Sequence, residues 1–537
     1  MLISHHFKFF IVIVIYAGYL RLRHDIVCVN ALTCFVLCAA WALSELVLRL
    51  FLYPRFLTPL KHVPTPKIRH WLTGNMKSYF IELQDEMMQH WIRTVPNKGL
   101  IRLYIVGNFE WLFPTNAEAL MEILVKKSYD FEKPEFIEHV LKQNIGDGLV
   151  LAKGDVHKAQ RKILLPAFSS RQIQNLRSVF WSKGVQMAKM IDKHLSSRDT
   201  SNNSIQISEW SDRVTLDIIG KAGMGVEFRS LETPGNALTR AYHKLAMPSA
   251  SEKLLIVLCV ALSCPKLIYK FPTKRNREIN EARQIVRDAA RSVIEQGKTN
   301  KSSLKEPQNI LSVAIHNGSF SDEGLVDQAM NFLSAGHETV SSAFQWSVYA
   351  LCKHQGIQLR LREEIRANLP PLSAEPTQNH DLSLKNLPYL NAFCSEVLRF
   401  YPSIPKIARR AVRDTSIAGE FIPKGSHVVI SPRIMNRMPE LWGSNAGDFN
   451  PDRFMASEIP TEDNTFSNQS FMTFLHGPRS CIAQGFAKAE LAFLVASITG
   501  RFHMELQCPD AELQITEATT MVPSDGVMAR FTPLDGW

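Results

Sequence analysis

Phe474-Leu475-His476-Gly477-Pro478-Arg479-Ser480-Cys481-Ile482-Ala483-Gln484 is the stretch on which the reading of this chain turns. A glycine and a proline loosen the backbone immediately before a cysteine that opens an apolar helix. At such a position the first N–H groups of the helix and nearby loop amides can hydrogen-bond the sulfur, lower its pKa and hold it as a thiolate. Arg479 adds positive charge two residues earlier and can pair with an acidic group. A buried structural cysteine is the commoner fate of the residue, so the reading needs support elsewhere in the chain.

The segment resembles the haem-binding loop of the cytochrome P-450 monooxygenases, F-x-x-G-x-R-x-C-x-G, at Phe474, Gly477, Arg479 and Cys481. Ala483 stands where the family has its last glycine, and Leu475 replaces a small or polar residue. The resemblance requires further motifs upstream in a set order, and they are present. Ala335-Gly336-His337-Glu338-Thr339 resembles the A/G-G-x-D/E-T segment of the long helix above the haem. There Gly336 would leave room for dioxygen, while Glu338 and Thr339 would feed protons through water. A zinc H-E-x-x-H motif is excluded, because Ser341 stands where the second histidine would be.

Glu396-Val397-Leu398-Arg399 resembles the E-x-x-R motif, a carboxylate and a guanidinium sharing one helical face. Pro451-Asp452-Arg453-Phe454 is similar to P-E-R-F, whose arginine would complete a Glu396, Arg399 and Arg453 cluster. Arg161 matches the arginine of W-x-x-x-R with His157 in place of tryptophan, and Arg409, beside Arg410, matches another arginine; all three would reach haem propionates.

The chain has 537 residues, 45% of them hydrophobic and 21% charged, a globular composition. Sixty-one Lys and Arg against 51 Asp and Glu give +10 without a long basic block, which suits an acidic partner or anionic membrane and excludes a nucleic-acid binder. Nine cysteines without a C-x-x-C pair argue against a disulfide framework or a zinc site. Ile26 to Leu43 is uncharged and, extended toward Leu48, predicts a transmembrane helix; Phe9 to Leu20 is a shorter candidate. Arg49, Arg55, Lys61, Lys67 and Arg69 place the following flank in the cytosol, and the prolines at 54, 59, 64 and 66 predict a stiff extended connector.

These features divide the chain into a membrane anchor (1–52), a proline-rich hinge (53–70) and a catalytic domain (71–537). The predicted fold is mostly α with small β-sheets (α+β), the cytochrome P-450 fold behind an N-terminal transmembrane helix. Helical patterning covers 116–128, 155–165, 171–195, 207–222, 276–296, 322–353, 354–367, 385–400 and 483–500. Short β-like runs lie at Ile101–Val106, Ser416–Phe421 and His427–Ile430. The apolar run Leu254–Leu262 fits a core helix or a second membrane contact.

The resemblance implies a monooxygenase of the endoplasmic reticulum membrane, single-pass with a cytosolic domain. It would bind haem b (iron protoporphyrin) through an axial Cys481 thiolate and oxidise a lipophilic small molecule, as fungal microsomal members do in secondary metabolism. No Rossmann fingerprint is present, so electrons must come from a partner. The resemblance implies NADPH-cytochrome P-450 reductase, with cytochrome b5 as an optional donor, docking on basic residues such as Lys158, Lys162 and Lys488. A haem-thiolate isomerase or dehydratase is one alternative, disfavoured by Glu338 and Thr339, and a non-enzymatic haem sensor is another.

Overall fold

A helix of 32 residues, Asp322–Lys353, runs through the protein and organises the helices around it. Ser321 caps its start by accepting from the Gly324 N–H, with Asp322 and Glu323 in its positive first turn and Lys353 in its last. Its middle is buried on almost every side, and Trp346 anchors it there. The indole stacks on Tyr401 with ring centroids 4.3 Å apart and donates to the Met521 carbonyl at 2.8 Å.

The computed structural model describes residues 27–67, 70, 73–75, 84–105, 108–197, 203–233, 235–246, 273–301, 309–374, 382–455, 470–511, 513–517 and 519–537. Phe9–Leu20 and Leu254–Leu262 lie outside them, as does Arg69.

Every helical stretch expected from the sequence forms, including Gly154–Leu164, Ser170–Ser196, Ile207–Ile218, Gln355–Asn368, Pro388–Phe400 and Gln484–Arg501. Helices at Gln84–Thr94, Glu135–Ile145, Ala237–Ala246 and Ile310–Asn317 were not anticipated. The small sheets are present too. The largest has the strand order Leu100–Tyr104, Glu110–Pro114, His427–Ile430, Ile407–Ala411, Phe131–Glu132; its second and third strands run parallel and the rest antiparallel. Ser416–Phe421 is not one strand but a hairpin, Thr415–Ile417 against Glu420–Ile422. Ala418 and Gly419 both take positive φ, 50° and 78°, so the chain reverses within the run.

Two apolar cores result. One fills the space between the helices; the other lies on the large sheet, with Leu60, Trp91, Phe113, Phe131 and Val428 among its members. The cysteine loop spans both, with Phe474 in the helical core and Met472 in the sheet core. Gln484–Arg501 follows it and packs along Ser170–Ser196, where the Phe180 and Phe486 rings meet edge to face at 4.9 Å.

The described part of the expected anchor is helical, Val27–Val47. Among the described residues, no helix is long and apolar enough to cross a membrane. The hinge departs from the extended connector expected of its prolines: a π-helix, Leu48–Leu57, continues straight through Pro54. Proline lacks the N–H of a helical hydrogen bond. Asn108 Nδ2 donates to the Leu50 carbonyl at 2.5 Å, and Tyr104 Oη donates to the Pro54 carbonyl at 3.0 Å. The hinge is thereby docked on the first strand pair.

Within the cysteine helix, Glu490 is 0% exposed and neither carboxyl oxygen has a hydrogen-bond partner among the described residues. Burial raises its pKa well above the ordinary carboxylate range. A raised folded-state pKa means the neutral acid is the native form. Stability is therefore full below the unfolded pKa and falls as pH rises above it, by about 1.4 kcal/mol per unit. The Tm of Glu490→Gln relative to wild type should accordingly climb between about pH 5 and about pH 8. A difference independent of pH would show that Glu490 is not held neutral.

Candidate functional site

The cysteine loop is held from behind by the Glu396–Arg399 pair. Both side chains are 0% exposed, and Arg399 Nε and Nη2 each meet a Glu396 carboxylate oxygen at 2.7 Å. The remaining guanidinium donors reach the carbonyls of Asn436 (2.6 Å), Ala446 (2.9 Å) and Asp448 (2.9 Å). Asn436 in turn accepts from the Met472 N–H at 2.8 Å and donates to Thr473 Oγ1, so the pair grips the backbone that leads into Phe474. Arg453 joins at longer range, 3.8 Å from Glu396, and spends its Nη donors on Trp442 and Asn445.

Gly477 sits at φ 76°, and a Cβ there would lie 2.2 Å from the Leu124 carbonyl oxygen, so only glycine fits. Leu475 takes φ 58°, which accounts for the smaller residue usual at this position. Cys481 lies three residues before the helix rather than opening it. Its backbone N–H donates to the Phe474 carbonyl at 2.9 Å. Cys481 keeps accessible surface although protein surrounds it. Burial pushes the thiol pKa up, while the Ala483 N–H and the charge of Arg161 pull it down. Burial wins, contrary to the lowered pKa expected from the loop, so a stable thiolate needs a cation at the sulfur itself.

Around this loop the structure collects positive charge with little to neutralise it. Arg161, on Gly154–Leu164, donates to Ser480 O at 2.7 Å and to Ser480 Oγ at 3.3 Å. Arg479 Nη1 reaches Ala152 O at 3.2 Å, while its buried Nε and Nη2 have no partner among the described residues. Arg409 is 6% exposed and donates only to the adjacent Ala408 carbonyl; burial, then the charge of Arg479, lowers its pKa to about 10. Strand alternation settles the register between neighbours, because Arg410 points outward to Glu135.

Lys133, which no sequence pattern singled out, belongs to the same group. Burial and then Arg409 and Arg479 lower its pKa to about 7. His157 is 4% exposed, with Nδ1 3.2 Å from Tyr129 Oη. Burial, then Arg479, Arg161 and Lys133, lower its pKa to about 4, so the ring is neutral near pH 7. With Tyr129 as donor to Nδ1, the proton sits on Nε2. Unmatched buried cations are costly. They fit an enclosed group with two carboxylates, as haem has. Lys488 does not join a docking face: it folds inward, its Nζ 5.1 Å from the Phe471 ring.

On the long helix, Ala335 is exposed next to buried Ser334, and Thr339, one turn on, donates from Oγ1 to its carbonyl at 2.7 Å. The helix is continuous here, and a Cβ at Gly336 would meet Ile219 Cδ1 at 2.7 Å. The space that Gly336 leaves is thus filled by Ile219 rather than kept open for dioxygen. Glu338 lies deep, its pKa raised to about 7 by burial and, secondarily, by Asp212.

Replacing Lys133 by Met should shorten the half-time of haem transfer to apomyoglobin by about tenfold, the effect of ~1.4 kcal/mol, whereas Lys133→Arg should stay near wild type. Equal transfer rates for wild type and Lys133→Met would remove Lys133 from the cradle.

The cytochrome P450 family model matches residues 64–530. Over 510 residues the chain is 48% identical to the cytochrome P450 monooxygenase sphH of Aspergillus fumigatus, spanning 94% of this chain and 93% of that protein. It is 34% identical over 550 residues to the monooxygenase ALT8 of Alternaria alternata (90% and 92% covered). With the monooxygenase FUM15 of Gibberella moniliformis the identity is 35% over 555 residues (93% of each). Since the matched span takes in the cysteine loop, the long helix and the cationic cradle alike, the chain belongs to the cytochrome P450 family and is a haem-thiolate monooxygenase.

Proposed function

We propose that this monooxygenase is anchored in the endoplasmic reticulum membrane with its body in the cytosol. It inserts one oxygen atom of dioxygen into a lipophilic small molecule of secondary metabolism and reduces the other to water, with electrons from an NADPH-dependent flavin reductase. The observation that carries the oxygen-activating reading is Glu338: an acid set deep in the long helix with a pKa near 7, the value at which a proton donor works best at neutral pH. Neither an isomerase nor a sensor needs such a group.

When bound, haem supplies dioxygen binding and one-electron chemistry, and a thiolate ligand favours O–O cleavage. Cys481 provides the thiolate, with the Ala483 N–H and Arg161 favouring its charged form. Arg161, Arg409, Arg479, Lys133 and the Nε2–H of neutral His157 would hold the propionates. Glu338 holds a transferable proton on its carboxyl. Thr339, whose hydroxyl proton is engaged by the Ala335 carbonyl, accepts and orients through its oxygen.

Membrane attachment is supported by exposed apolar side chains along Val27–Val47 and Leu48–Leu57: Val36, Leu37, Leu43, Leu46, Phe51, Leu52, Phe56 and Leu57. For reductase docking, Lys158 and Lys162 are exposed on Gly154–Leu164, the helix that carries His157 and Arg161.

The carbon monoxide difference spectrum of the reduced protein should show the red-shifted Soret band of thiolate ligation, lost in Cys481→Ser. With reductase and NADPH, Glu338→Gln should raise the fraction of electrons released as hydrogen peroxide by about tenfold. Haem-loaded protein without that band, or turnover of peroxides with no use of NADPH, would contradict the proposal. Lys158→Glu with Lys162→Glu should slow reductase-driven turnover and spare peroxide-driven turnover; an equal loss in both would rule out docking there.

A further inference from the structure

His337, Ser341 and Gln345 occupy positions i, i+4 and i+8 of the long helix and form a buried polar stripe in an otherwise apolar core, facing Ile207–Ile218. Ser341 Oγ lies 2.5 Å from Asp212 Oδ1 and 2.9 Å from Ser211 Oγ, and Gln345 Nε2 donates to Ser341 Oγ at 3.2 Å. His337 Nε2 stands 4.0 Å from the same Asp212 oxygen. Asp212 is 18% exposed and borders the solvent face of its helix, beside half-buried Arg213 and its exposed partner Glu209, so the stripe begins near the surface.

The stripe ends beside Glu338. Tyr242, on Ala237–Ala246, packs its ring 5.5 Å from the His337 ring, and its buried hydroxyl has no hydrogen-bond partner among the described residues. Burial and then the charge of Glu338 raise the Tyr242 pKa, and burial and then the charge of Asp212 raise that of Glu338, which follows His337 on the same helix. Among the described residues, the titratable groups around His337 include Asp212 on one helix, Tyr242 on a second and Glu338, the next residue, on its own.

We propose that Asp212 and His337 form a proton path from the surface to Glu338, running on the side of the long helix away from Ala335 and Thr339. A proton taken from water by the Asp212 carboxylate passes to His337 Nε2 after a small rotation of the ring closes the gap. The imidazole then releases one from Nδ1 toward Glu338, with the Tyr242 hydroxyl alongside. One proton enters and one leaves; no electron moves and no bond between heavy atoms changes. Asp212 and His337 are thus relay and positioning residues, and the proposal rests on the reading of Glu338 as proton donor.

The test is stopped-flow infrared spectroscopy of the intact haem-loaded protein mixed with D2O, following the carboxylic C=O band that Glu338→Gln abolishes. Asp212→Asn keeps an oxygen acceptor for Ser341 but cannot relay, and His337→Gln keeps a polar side chain; each should slow deuteration of Glu338 by about tenfold or more. Each should also raise the ratio of peroxide released to NADPH consumed. Ser341→Ala, which loosens the contact between the helices, should lower the Tm and leave the exchange rate alone. Wild-type exchange in both Asp212→Asn and His337→Gln would overturn the path, as would the absence of any protonated Glu338 band at neutral pH. If Glu338→Gln leaves the peroxide ratio unchanged, the donor role itself fails; if it raises the ratio while the two relay variants do not, the path alone fails.

Discussion

The buried Glu396–Arg399 pair is the interaction on which the rest of the structure depends. Two charges removed fully from water cost several kcal/mol each unless their geometry and remaining hydrogen bonds compensate. Here compensation is complete for the guanidinium, with two donors on the carboxylate and three on backbone carbonyls, and Glu396 also accepts from the Asn450 N–H at 2.7 Å. Those carbonyls belong to the irregular segment 436–448, which has no sheet or long helix of its own to satisfy it. Through Asn436 the same pair reaches Met472 and Thr473, and Thr473 Oγ1 donates to Leu398 O one residue from Arg399. An ion pair in one helix thereby determines where the cysteine loop begins.

That loop opens onto an electrostatic arrangement that the chain alone does not balance. Burial lowers the proton affinity of Lys133, Arg409 and Arg479, the charge of Arg479 lowers it further at Lys133 and Arg409, and burial opposes the Cys481 thiolate. Both would be met by haem, whose carboxylates suit the cations and whose iron suits the sulfur. The site is poor in isolation because it is shaped for its cofactor, a common trade between stability and function. Glu338 follows the same logic on the other side: burial that would be a defect elsewhere sets its acidity where proton transfer is useful.

Much of this was legible in the sequence where a local pattern carries the physics. The cysteine loop, E-x-x-R and the acid-alcohol pair have fixed short spacings, and the helices Asp322–Lys353 and Gln484–Arg501 are long apolar-rich segments free of proline. What the sequence hid depends on partners far away in the chain. Lys133 becomes part of the cradle only because Phe131–Glu132 pairs with Ile407–Ala411, bringing Arg409 alongside. Gly336 read as space for dioxygen, but Ile219 fills it from another helix. Pro54 read as a helix stop, yet Leu48–Leu57 continues through it, held from outside by Asn108 on the Leu50 carbonyl and Tyr104 on that of Pro54. The Asp212–His337 contact likewise joins positions more than a hundred residues apart.

The most direct test of this account is the reduced carbon monoxide spectrum and haem content of Arg399→Lys. Lysine keeps the charge but not the planar fork that serves Glu396 and three carbonyls together. The account predicts a folded protein that has lost the thiolate Soret band and most of its haem, because the backbone leading into Cys481 is no longer held. A variant with full haem content and an undiminished thiolate band would contradict it, and would show that the cysteine loop takes its shape independently of the buried pair.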